Sequence, residues 1–336
     1  MFLDVLPLQN NTVRLCRVYG DVPSVSLPDV LPAPDSTSQA ITELGDYCFS
    51  ENPRNLPAPE KLLRYKVGED GTAVLLTEIA DLHPVCGNFV EEISLPESLH
   101  VVGSCAFYNC RKLRRLSVGS GELTVGSDVF LNCFALDTIL VRATPDEPTG
   151  LFPLVNSITE AVEAVYQPKD SAVPLAGLWY PAYWEDIEES PAHILLHTFS
   201  GQGYHYRQCF LNQKFLPAEY DAIFPQGHAS EDANIIAMLC FDRLRWPWQL
   251  SDSAKAAYRE FVAANTGRIL TRLLKAQDLE GIKALLAMDI MTPEAFAEGA
   301  ALAAKADNAS AAALLADAEY KKRAAQPRKK RYDFDF

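Results

Sequence analysis

Residues 95–118, with the sequence LPESLHVVGSCAFYNCRKLRRLSV, decide how this chain folds. Read alone, the stretch offers His100, Cys105 and Cys110 as candidate ligands of a metal or redox site. Read with its neighbours, it is one turn of a repeat, because its apolar and glycine positions recur after 23 residues. The matching pairs are Ile93 and Leu116, Leu95 and Val118, Val102 and Val125, Gly103 and Gly126, Phe107 and Phe130, Asn109 and Asn132, and Cys110 and Cys133.

An earlier and less regular copy lies upstream. Residues 24–30 (SVSLPDV) resemble residues 92–98 (EISLPES), and residues 41–52 resemble residues 100–110. About ten extra residues separate the two halves of the early copy, and residues 53–89 then interrupt the array. The sequence therefore predicts a short solenoid with an insertion at about residues 53–89.

The residue types fit such a coil. Leu116 and Val118 are expected to point inward and Arg115 and Ser117 outward, because successive side chains of a strand face opposite sides. Phenylalanines one period apart are expected to stack in neighbouring coils, since a single coil cannot bury its apolar side alone. The cysteines one period apart are expected to be unligated thiols stacked in the same way.

The joint spacing of glycine, Ala-Phe, Asn-Cys and leucine resembles the BspA-type leucine-rich repeat of bacterial proteins, most specifically over residues 90–141. A period of 23 residues also lies in the range of roughly 20–29 residues found for leucine-rich repeats. The resemblance implies a solenoid with a role in interactions. Many members of that family are exported surface proteins, but the chain start lacks a basic segment followed by a long apolar one. We therefore expect a cytoplasmic protein.

The fold class expected is α+β, with a short right-handed leucine-rich-repeat solenoid that has one short strand per turn, followed by an α-helical, repeat-like region. Four segments are predicted: the solenoid at residues 1–141, an irregular aromatic-rich segment at 142–228, an ankyrin-like helical region at 229–320 and a flexible basic tail at 321–336.

The helical region carries its own signals of helix ends. Ser230 is the candidate N-cap of a first helix that Pro247 ends, and Thr292 is expected to cap a later helix that begins with Pro293. The triplet at residues 285–287, Leu-Leu-Ala, recurs at residues 314–316, which suggests a helical repeat of 29 residues.

The composition of the chain restricts which classes of partner and which cellular compartment can be expected. A net charge of −14 argues against general binding to a phosphate backbone, so a nucleic-acid partner is not expected. No run of about 18 uncharged apolar residues exists, so no membrane span is expected. The eight cysteines are expected to be reduced, because nothing in the sequence indicates an oxidising compartment.

One alternative is a metal-dependent or thiol enzyme. His193 and His197, and His205 and Cys209, are each four residues apart and include the ligand types of a zinc site. However, the glycines at 201 and 203 favour strand or loop, where residues four apart lie about 13 Å from each other. The preferred interpretation is a half-buried hairpin that turns at residues 200–203. Cys209 paired with His205 or His228 is the candidate nucleophile that this alternative would require.

A second alternative rests on residues 321–331, which include seven basic residues and could bind nucleic acid or an anionic membrane surface. The interpretation preferred here is a solvated terminus whose charges pair with the protein's own acidic side chains.

The function that the sequence favours is non-enzymatic protein binding, as an intracellular bacterial scaffold or adaptor without a cofactor. The binding surface is predicted on outward strand positions and the adjoining aromatic segment, with Ser24 and Ser26 at its start. Its candidate residues are Glu92, Ser94, Arg115, Ser117, Thr138, Leu140, Trp179, Tyr183 and Trp184.

Overall fold

The computed structural model describes residues 1–34, 37–76, 82–189 and 195–325 of the chain. The chain divides into two compact units, residues 1–231 and the residues from 232 onward. In the described residues the first unit consists mainly of strands and the second of α-helices, which confirms the predicted fold class. The four segment boundaries given above stay a prediction.

The strands of the first unit, in chain order, are β1 (Phe2–Pro7), β2 (Thr12–Tyr19), β3 (Ser24–Ser26), β4 (Val30–Pro32), β5 (Ser38–Leu44), β6 (Leu63–Val67), β7 (Ala73–Leu76), β8 (Glu92–Ser94), β9 (Val101–Val102), β10 (Arg115–Val118), β11 (Thr124–Val125), β12 (Thr138–Val141), β13 (Val162–Tyr166), β14 (Ala176–Tyr180), β15 (Trp184–Glu189), β16 (Leu195–Ser200), β17 (Phe210–Leu211) and β18 (Lys214–Phe215). Its helices are α1 (Leu151–Asn156), α2 (Gly203–Arg207) and α3 (Pro217–Gly227), and a short 3-10 turn spans Pro59–Lys61.

Successive coils contribute strands to two sheets. The first sheet has the order β14-β13-β12-β10-β8-β3, and its strands β3, β8, β10, β12 and β13 run parallel. The second sheet has the order β11-β9-β5-β2-β1-β6-β7, in which β2, β5, β9 and β11 run parallel. We call residues 24–52 the first coil, residues 90–112 the second and residues 113–135 the third.

The strand register confirms the predicted repeat. Val25 lies opposite Ile93, Ile93 opposite Leu116, and Leu116 opposite Ile139. All four side chains are buried, so one row of aliphatic residues runs through the coils on the inner side of the first sheet. The early copy that the sequence shows only weakly is therefore a true coil of the solenoid.

Residues 53–89 do more than interrupt the array. Within them β6 pairs antiparallel with the N-terminal strand β1, and β7 pairs antiparallel with β6. The side chain of Tyr65 on β6 is fully buried. The insertion thus extends the second sheet.

The first sheet also continues beyond residue 141. β13 pairs parallel with β12, with Val141 opposite Tyr166, and β14 then pairs antiparallel with β13. Residues 162–166 alternate between buried and partly exposed side chains, as a strand on a sheet surface does. The segment predicted to be irregular therefore begins with the short helix α1 and two further strands of the first sheet.

The prediction of a hairpin that turns at residues 200–203 is wrong. β15 and β16 do form a hairpin, but Ser200 is the last residue of β16, and Gly203 begins α2. Gly203 is required at that point, because a Cβ atom there would lie 2.1 Å from the carbonyl oxygen of Pro181. The glycine run therefore marks a close approach of two chain segments.

The second unit contains α4 (Ala233–Arg245), α5 (Asp252–Ala264), α6 (Thr266–Lys275), α7 (Leu279–Ala287), α8 (Pro293–Lys305) and α9 (Ala309–Ala325). The N-cap of α4 is Asp232, two residues after the predicted Ser230. Thr292 caps α8 as predicted, with Pro293 at the first helical position.

The helical repeat has a period of 30 residues, one more than the sequence suggests. Asp278 and Asn308 occupy equivalent cap positions, since each accepts a hydrogen bond from the backbone N–H three residues later. Each of the two also donates its own backbone N–H to the carbonyl five residues earlier. The equivalent of the buried Leu285 is therefore the buried Leu315, and α6 packs against α8 as α7 does against α9. The ankyrin-like character of this region stays a prediction.

Candidate protein-interaction site

A ladder of phenylalanine rings holds the three coils together. The ring centroids of Phe49 and Phe107 are 5.5 Å apart, and those of Phe107 and Phe130 are 5.2 Å apart in nearly parallel planes. Such offset-stacked pairs add about 0.5–1.5 kcal/mol each to the free energy gained from burying the rings. The predicted stacking is confirmed, and it extends back to the first coil.

The cysteines beside this ladder are packing residues. The Cys110 thiol donates to the carbonyl oxygen of Phe49 at 3.2 Å, and the Cys133 thiol donates to that of Phe107 at 3.0 Å. The two contacts are equivalent, because each thiol reaches back to the phenylalanine of the preceding coil. Burial raises the pKa of Cys133 to about 12, so the thiol stays protonated at neutral pH. All eight cysteines are free thiols.

The outward side of the first sheet, which we call the strand face, presents one row of side chains in register. Ser24 lies opposite Glu92, Glu92 opposite Arg115, and Arg115 opposite Thr138. The side chains of Arg115 and Glu92 are 55% and 49% exposed and form an ion pair at 3.7 Å. Exposed pairs of this kind contribute little to stability, so both charges remain open to a partner.

The next row of the strand face is largely occupied by Arg142. Its guanidinium donates to the hydroxyl groups of Ser94 and Ser117, to the carbonyl of Leu95 at 2.6 Å and to Glu97 at 2.7 Å. Ser117 is consequently buried, and Ser94 is only partly exposed. The predicted surface is therefore narrower at these two serines than the alternation of the strands suggests.

Glu97 is the anion that holds this cluster together. Burial works to raise the pKa of its carboxyl group, but hydrogen bonds from Arg142 and Lys169 outweigh burial, so the pKa lies below its usual value. Lys169 approaches the same carboxylate at 3.1 Å. The carboxylate is thus ionised at neutral pH and fixes the Arg142 guanidinium over the strands.

The three aromatic residues proposed as anchors differ in their exposure. Trp179 is 3% exposed and Tyr183 is 6% exposed, whereas Trp184 is 67% exposed. All five side chains of β14 are buried, and the Tyr220 hydroxyl of α3 donates to the Trp179 carbonyl at 2.6 Å. Trp179 and Tyr183 are therefore core residues, which corrects their assignment to a surface. Trp184 remains available, and Thr138 and Leu140 are partly exposed.

Sequence reasoning missed Arg207, which is fully buried in the first unit. Its guanidinium donates to backbone carbonyls of five residues: Val155, Ile158, Glu160, Pro181 and Gly203. It also lies 4.9 Å from the ring centroid of Tyr183. Burial lowers its pKa to about 10, which still leaves it charged at neutral pH. A single arginine in an irregular segment has no periodic signal, so the sequence alone gave no reason to expect this role.

The structure describes three of the four residues of the possible metal or thiol site. His193 lies outside the described residues, His197 lies on β16, and His205 is exposed on α2. The Cys209 thiol donates to the carbonyl of His205 at 3.5 Å, and burial raises its pKa to about 12, opposite to what a nucleophile requires. Among the residues that the structure describes, no group of three or more metal-ligating side chains occurs.

The basic tail is only partly described, since residues 326–336 lie outside the described range. Lys321 and Arg323 form ion pairs four residues back on α9, with Asp317 at 2.7 Å and Glu319 at 2.6 Å. Lys322 pairs with Asp289 at 2.7 Å. The first three basic residues therefore pair with the protein's own carboxylates and belong to α9, whereas the sequence favoured a frayed, solvated terminus from residue 321.

Residues 86–148 match the family model described as "BspA type Leucine rich repeat region (6 copies)". This part of the chain is a BspA-type leucine-rich repeat. Leucine-rich repeats as a class form solenoids whose stacked units create extended binding surfaces. The match covers the second and third coils and the start of the next turn, and the strand register carries the same repeat back to the first coil.

Among solved structures, the leucine-rich repeat chain is similar to a leucine rich cell surface protein from Faecalibacterium prausnitzii A2-165. The sequence identity is 14% and the TM-score is 0.27, over 43% of this chain and 31% of that one. The present chain thus covers less than a third of that protein. No curated protein matches the chain.

In the described parts of the chain, no helix has both the length and the apolar character needed to cross a membrane.

Proposed function

We propose that this protein is a non-enzymatic protein-interaction module, a scaffold or adaptor that binds another protein through the strand face. The observation that supports this proposal most directly is the row formed by Ser24, Glu92, Arg115 and Thr138. Neighbouring strands lie about 4.8 Å apart, so the row presents polar groups at fixed intervals on a rigid sheet. Rigid, pre-arranged contacts lower the entropy lost on binding.

The strand face requires additional area to form a stable interface. A standard interface buries about 800 Å² on each partner, and its binding energy concentrates in a few aromatic or arginine residues. Arg115 is such a residue within the row, and the exposed Trp184 on β15 is a second one in the same unit. We therefore propose these two side chains as the anchors of the interface.

The proposed place of action is the cytoplasm of a bacterial cell. The bacterial origin is suggested by the repeat family, and the compartment by the chemistry of the cysteines. All eight are free thiols, which is typical of proteins kept in a reducing environment.

Charge reversal on the strand face tests the proposal. Arg115→Glu places a second carboxylate beside Glu92 and is expected to abolish capture of the specific partner from a bacterial lysate, measured by quantitative mass spectrometry. Lys112→Glu is the matched control, because Lys112 is also exposed and lies on the loop that ends the second coil, three residues before Arg115. Circular dichroism and thermal unfolding verify that both variants fold.

The expected pattern is a partner retained by the wild type and Lys112→Glu, lost with Arg115→Glu and weakened at least about tenfold with Trp184→Ala. A partner set that is unchanged by both Arg115→Glu and Trp184→Ala would contradict this use of the strand face. A wild-type protein that captures no specific partner would contradict the interaction function itself.

A further inference from the structure

The coils are joined by backbone hydrogen bonds along the side that carries the phenylalanine ladder. In the second coil, alternate N–H groups donate to alternate carbonyls of the third coil, over distances of 2.9 to 3.1 Å. The pairs are Cys105 and Ser127, Phe107 and Val129, and Asn109 and Leu131. In the first coil, the N–H groups of Tyr47 and Phe49 donate to the second coil in the same way. Each coil thus offers donors to its successor, as the edge of a strand does.

The third coil has the same donors without a successor. The equivalent N–H groups belong to Asp128, Phe130 and Asn132, one period after those of the second coil. Within the described residues, none of these three groups has an acceptor. These residues form a turn with Asp128 and Asn132 in the left-handed region, and their unpaired N–H groups can pair with the carbonyls of another chain, as N–H groups at a sheet edge do.

The backbone carbonyls in the next turn of the chain accept hydrogen bonds from groups other than the N–H groups of the third coil. Those of Val155, Ile158 and Glu160 accept hydrogen bonds from the guanidinium of Arg207. The carbonyl of Thr159 accepts from the backbone N–H of Tyr183 at 3.0 Å. One period after Ser127 and Leu131, the carbonyls of Gly150 and Leu154 accept from backbone N–H groups of α1 and its C-cap, so α1 and Arg207 together engage the carbonyls of this turn.

A cleft of about 240 Å³ borders this open edge, between residues 128–136 and residues 157–160. Phe130, the last ring of the ladder, lines it, and the side chains of Leu131 and Phe134 are 48% and 65% exposed. One period earlier these two positions hold Tyr108 and Arg111. Small-molecule sites have volumes of roughly 300–1,000 Å³, so the cleft fits an anchoring side chain better than a free ligand.

The negative charge of the cleft also favours a positively charged partner. Its lining includes the carboxylates of Asp128 and Glu160 and no basic side chain. Complementary charge favours encounter and register, so a cationic segment is preferred over an acidic one.

The opposite end of the coils argues against a second copy of the chain as the occupant. There the buried Arg17 donates to the carbonyls of Tyr47, Cys48 and Ser50, at 3.3, 3.1 and 2.6 Å. A copy stacked end to end would have to displace this cation before its first coil offered acceptors. The first coil is closed at its outer end, whereas the third coil is open.

We propose that the open edge of the third coil binds a segment of another protein that adopts the turn conformation of a further coil. The segment places an aromatic side chain against Phe130 and in the cleft, and its alternate carbonyls accept from the N–H groups of Asp128, Phe130 and Asn132. Basic residues flank the aromatic one. This is analogous to recognition by addition of a strand to a sheet edge, with a turn of the solenoid in the place of the strand. The site is separate from the strand face, so the two proposals stand or fall independently.

The probe is a capped peptide that mimics a further coil, with the sequence of residues 127–135 carrying Asp128→Lys, Cys133→Ser and Ala135→Lys. Its binding to the full chain is measured by amide NMR spectra and by fluorescence anisotropy. We expect the amide protons of Asp128, Phe130 and Asn132 to shift downfield as they become hydrogen-bonded. A peptide that also carries Phe130→Ala should bind at least about tenfold more weakly.

The protein variant Leu131→Lys adds a positive charge at the rim of the cleft and should weaken binding of the basic peptide at least about tenfold. Leu211→Lys is the matched control. Leu211 is also exposed, but it lies on β17, which is not part of the third coil or of the lining of the cleft. Both positions are exposed, so both variants are expected to fold.

Three outcomes would overturn the proposal. The first is the absence of shifts at those three amides at millimolar peptide, and the second is equal binding by Leu131→Lys and the wild type. The third is a dimer of the peptide-free protein that Leu131→Lys dissociates in sedimentation, because a second copy would then occupy the edge.

Discussion

At the scale of single residues, the close stacking of the coils depends on glycine at one position of the repeat. A Cβ atom on Gly126 would lie 2.6 Å from the backbone nitrogen of Ser104 in the preceding coil. Neither backbone can move without breaking the hydrogen bonds between coils, so Gly126→Ala should lower the free energy of unfolding by about 1–3 kcal/mol. Urea unfolding followed by circular dichroism measures this change.

Gly20→Ala is the matched control for that variant. The nearest atoms to a Cβ at Gly20 are 3.7 Å away, an ordinary van der Waals distance. Alanine there should change the free energy of unfolding by less than about 1 kcal/mol, and in the stabilising direction if it restricts the unfolded chain. Equal effects of the two substitutions would show that close packing is not the reason for the glycine at 126.

At the scale of elements, the 30-residue helical repeat is fixed by its capping residues. Asp278 accepts from the Gly281 N–H at 2.8 Å and from Arg245 at 2.7 Å, whereas Asn308 caps α9 through the Ala311 N–H at 3.0 Å. Asn308→Ala should cost about 1 kcal/mol of stability. Asp278→Ala should cost more, because it also leaves Arg245 without this partner.

The charge of Asp278 gives this element a dependence on pH. Burial works to raise its pKa, but hydrogen bonds from Arg245 and from backbone N–H groups outweigh burial and lower it. A lowered pKa stabilises the fold above the ordinary value of about 3.9, and the benefit is lost as the pH falls through the folded-state pKa. The stability difference between the wild type and Asp278→Asn should therefore shrink below about pH 4 in urea titrations. A difference that stays constant from pH 7 to pH 3 would refute the ion-pair contribution.

At the scale of the whole molecule, the reactivity of the cysteine thiols measures how cooperatively the protein unfolds. Seven of the eight thiols are buried, and only Cys105 is partly exposed. Burial raises the pKa of Cys16 to about 11 and that of Cys209 to about 12, which further slows their reaction with thiol reagents. A disulfide reagent at pH 8 should label about one thiol quickly in the native protein and the others only in denaturant.

Cys105→Ser is the control for this measurement, and the rapid phase should disappear in that variant. Rapid labelling of several thiols in native Cys105→Ser would mean that the buried cysteines open locally without global unfolding.

The sequence predicted those features that recur at a fixed spacing. The stacked rings of Phe107 and Phe130 and the register of β8, β10 and β12 follow from the 23-residue period, and the early copy at residues 24–52 follows from its resemblance to the second coil. The burial of Trp179 and Tyr183 was not predictable, because an amphipathic aromatic side chain suits a core and an interface equally well. Their burial depends on α2 and α3, whose packing has no signature in the local sequence.

The site that the structure adds could not be predicted for a related reason. The open edge of the third coil depends on how the next turn uses its carbonyls. Those of Gly150 and Leu154 are engaged by α1 and its C-cap, and those of Val155, Ile158 and Glu160 by Arg207, some 50 residues later. A repeat pattern shows where a coil begins, but the absence of its successor is decided by contacts outside the repeat. The 30-residue helical period was misread as 29 because matching letters at residues 285–287 outweighed the caps, which the structure places in register.

Because the buried Arg207 binds carbonyls of earlier residues, the domain does not end where the repeat ends. A fragment that stopped at residue 148, where the repeat match ends, would lack β13 and β14 and would expose the edge of β12 with which β13 pairs. A fragment that stopped between residues 181 and 207 would retain the carbonyls of Val155, Ile158 and Pro181 but lose the cation that binds them. Buried carbonyls without donors are costly. Boundaries for expression or for grafting this repeat into another protein therefore belong after residue 231, where the first unit ends.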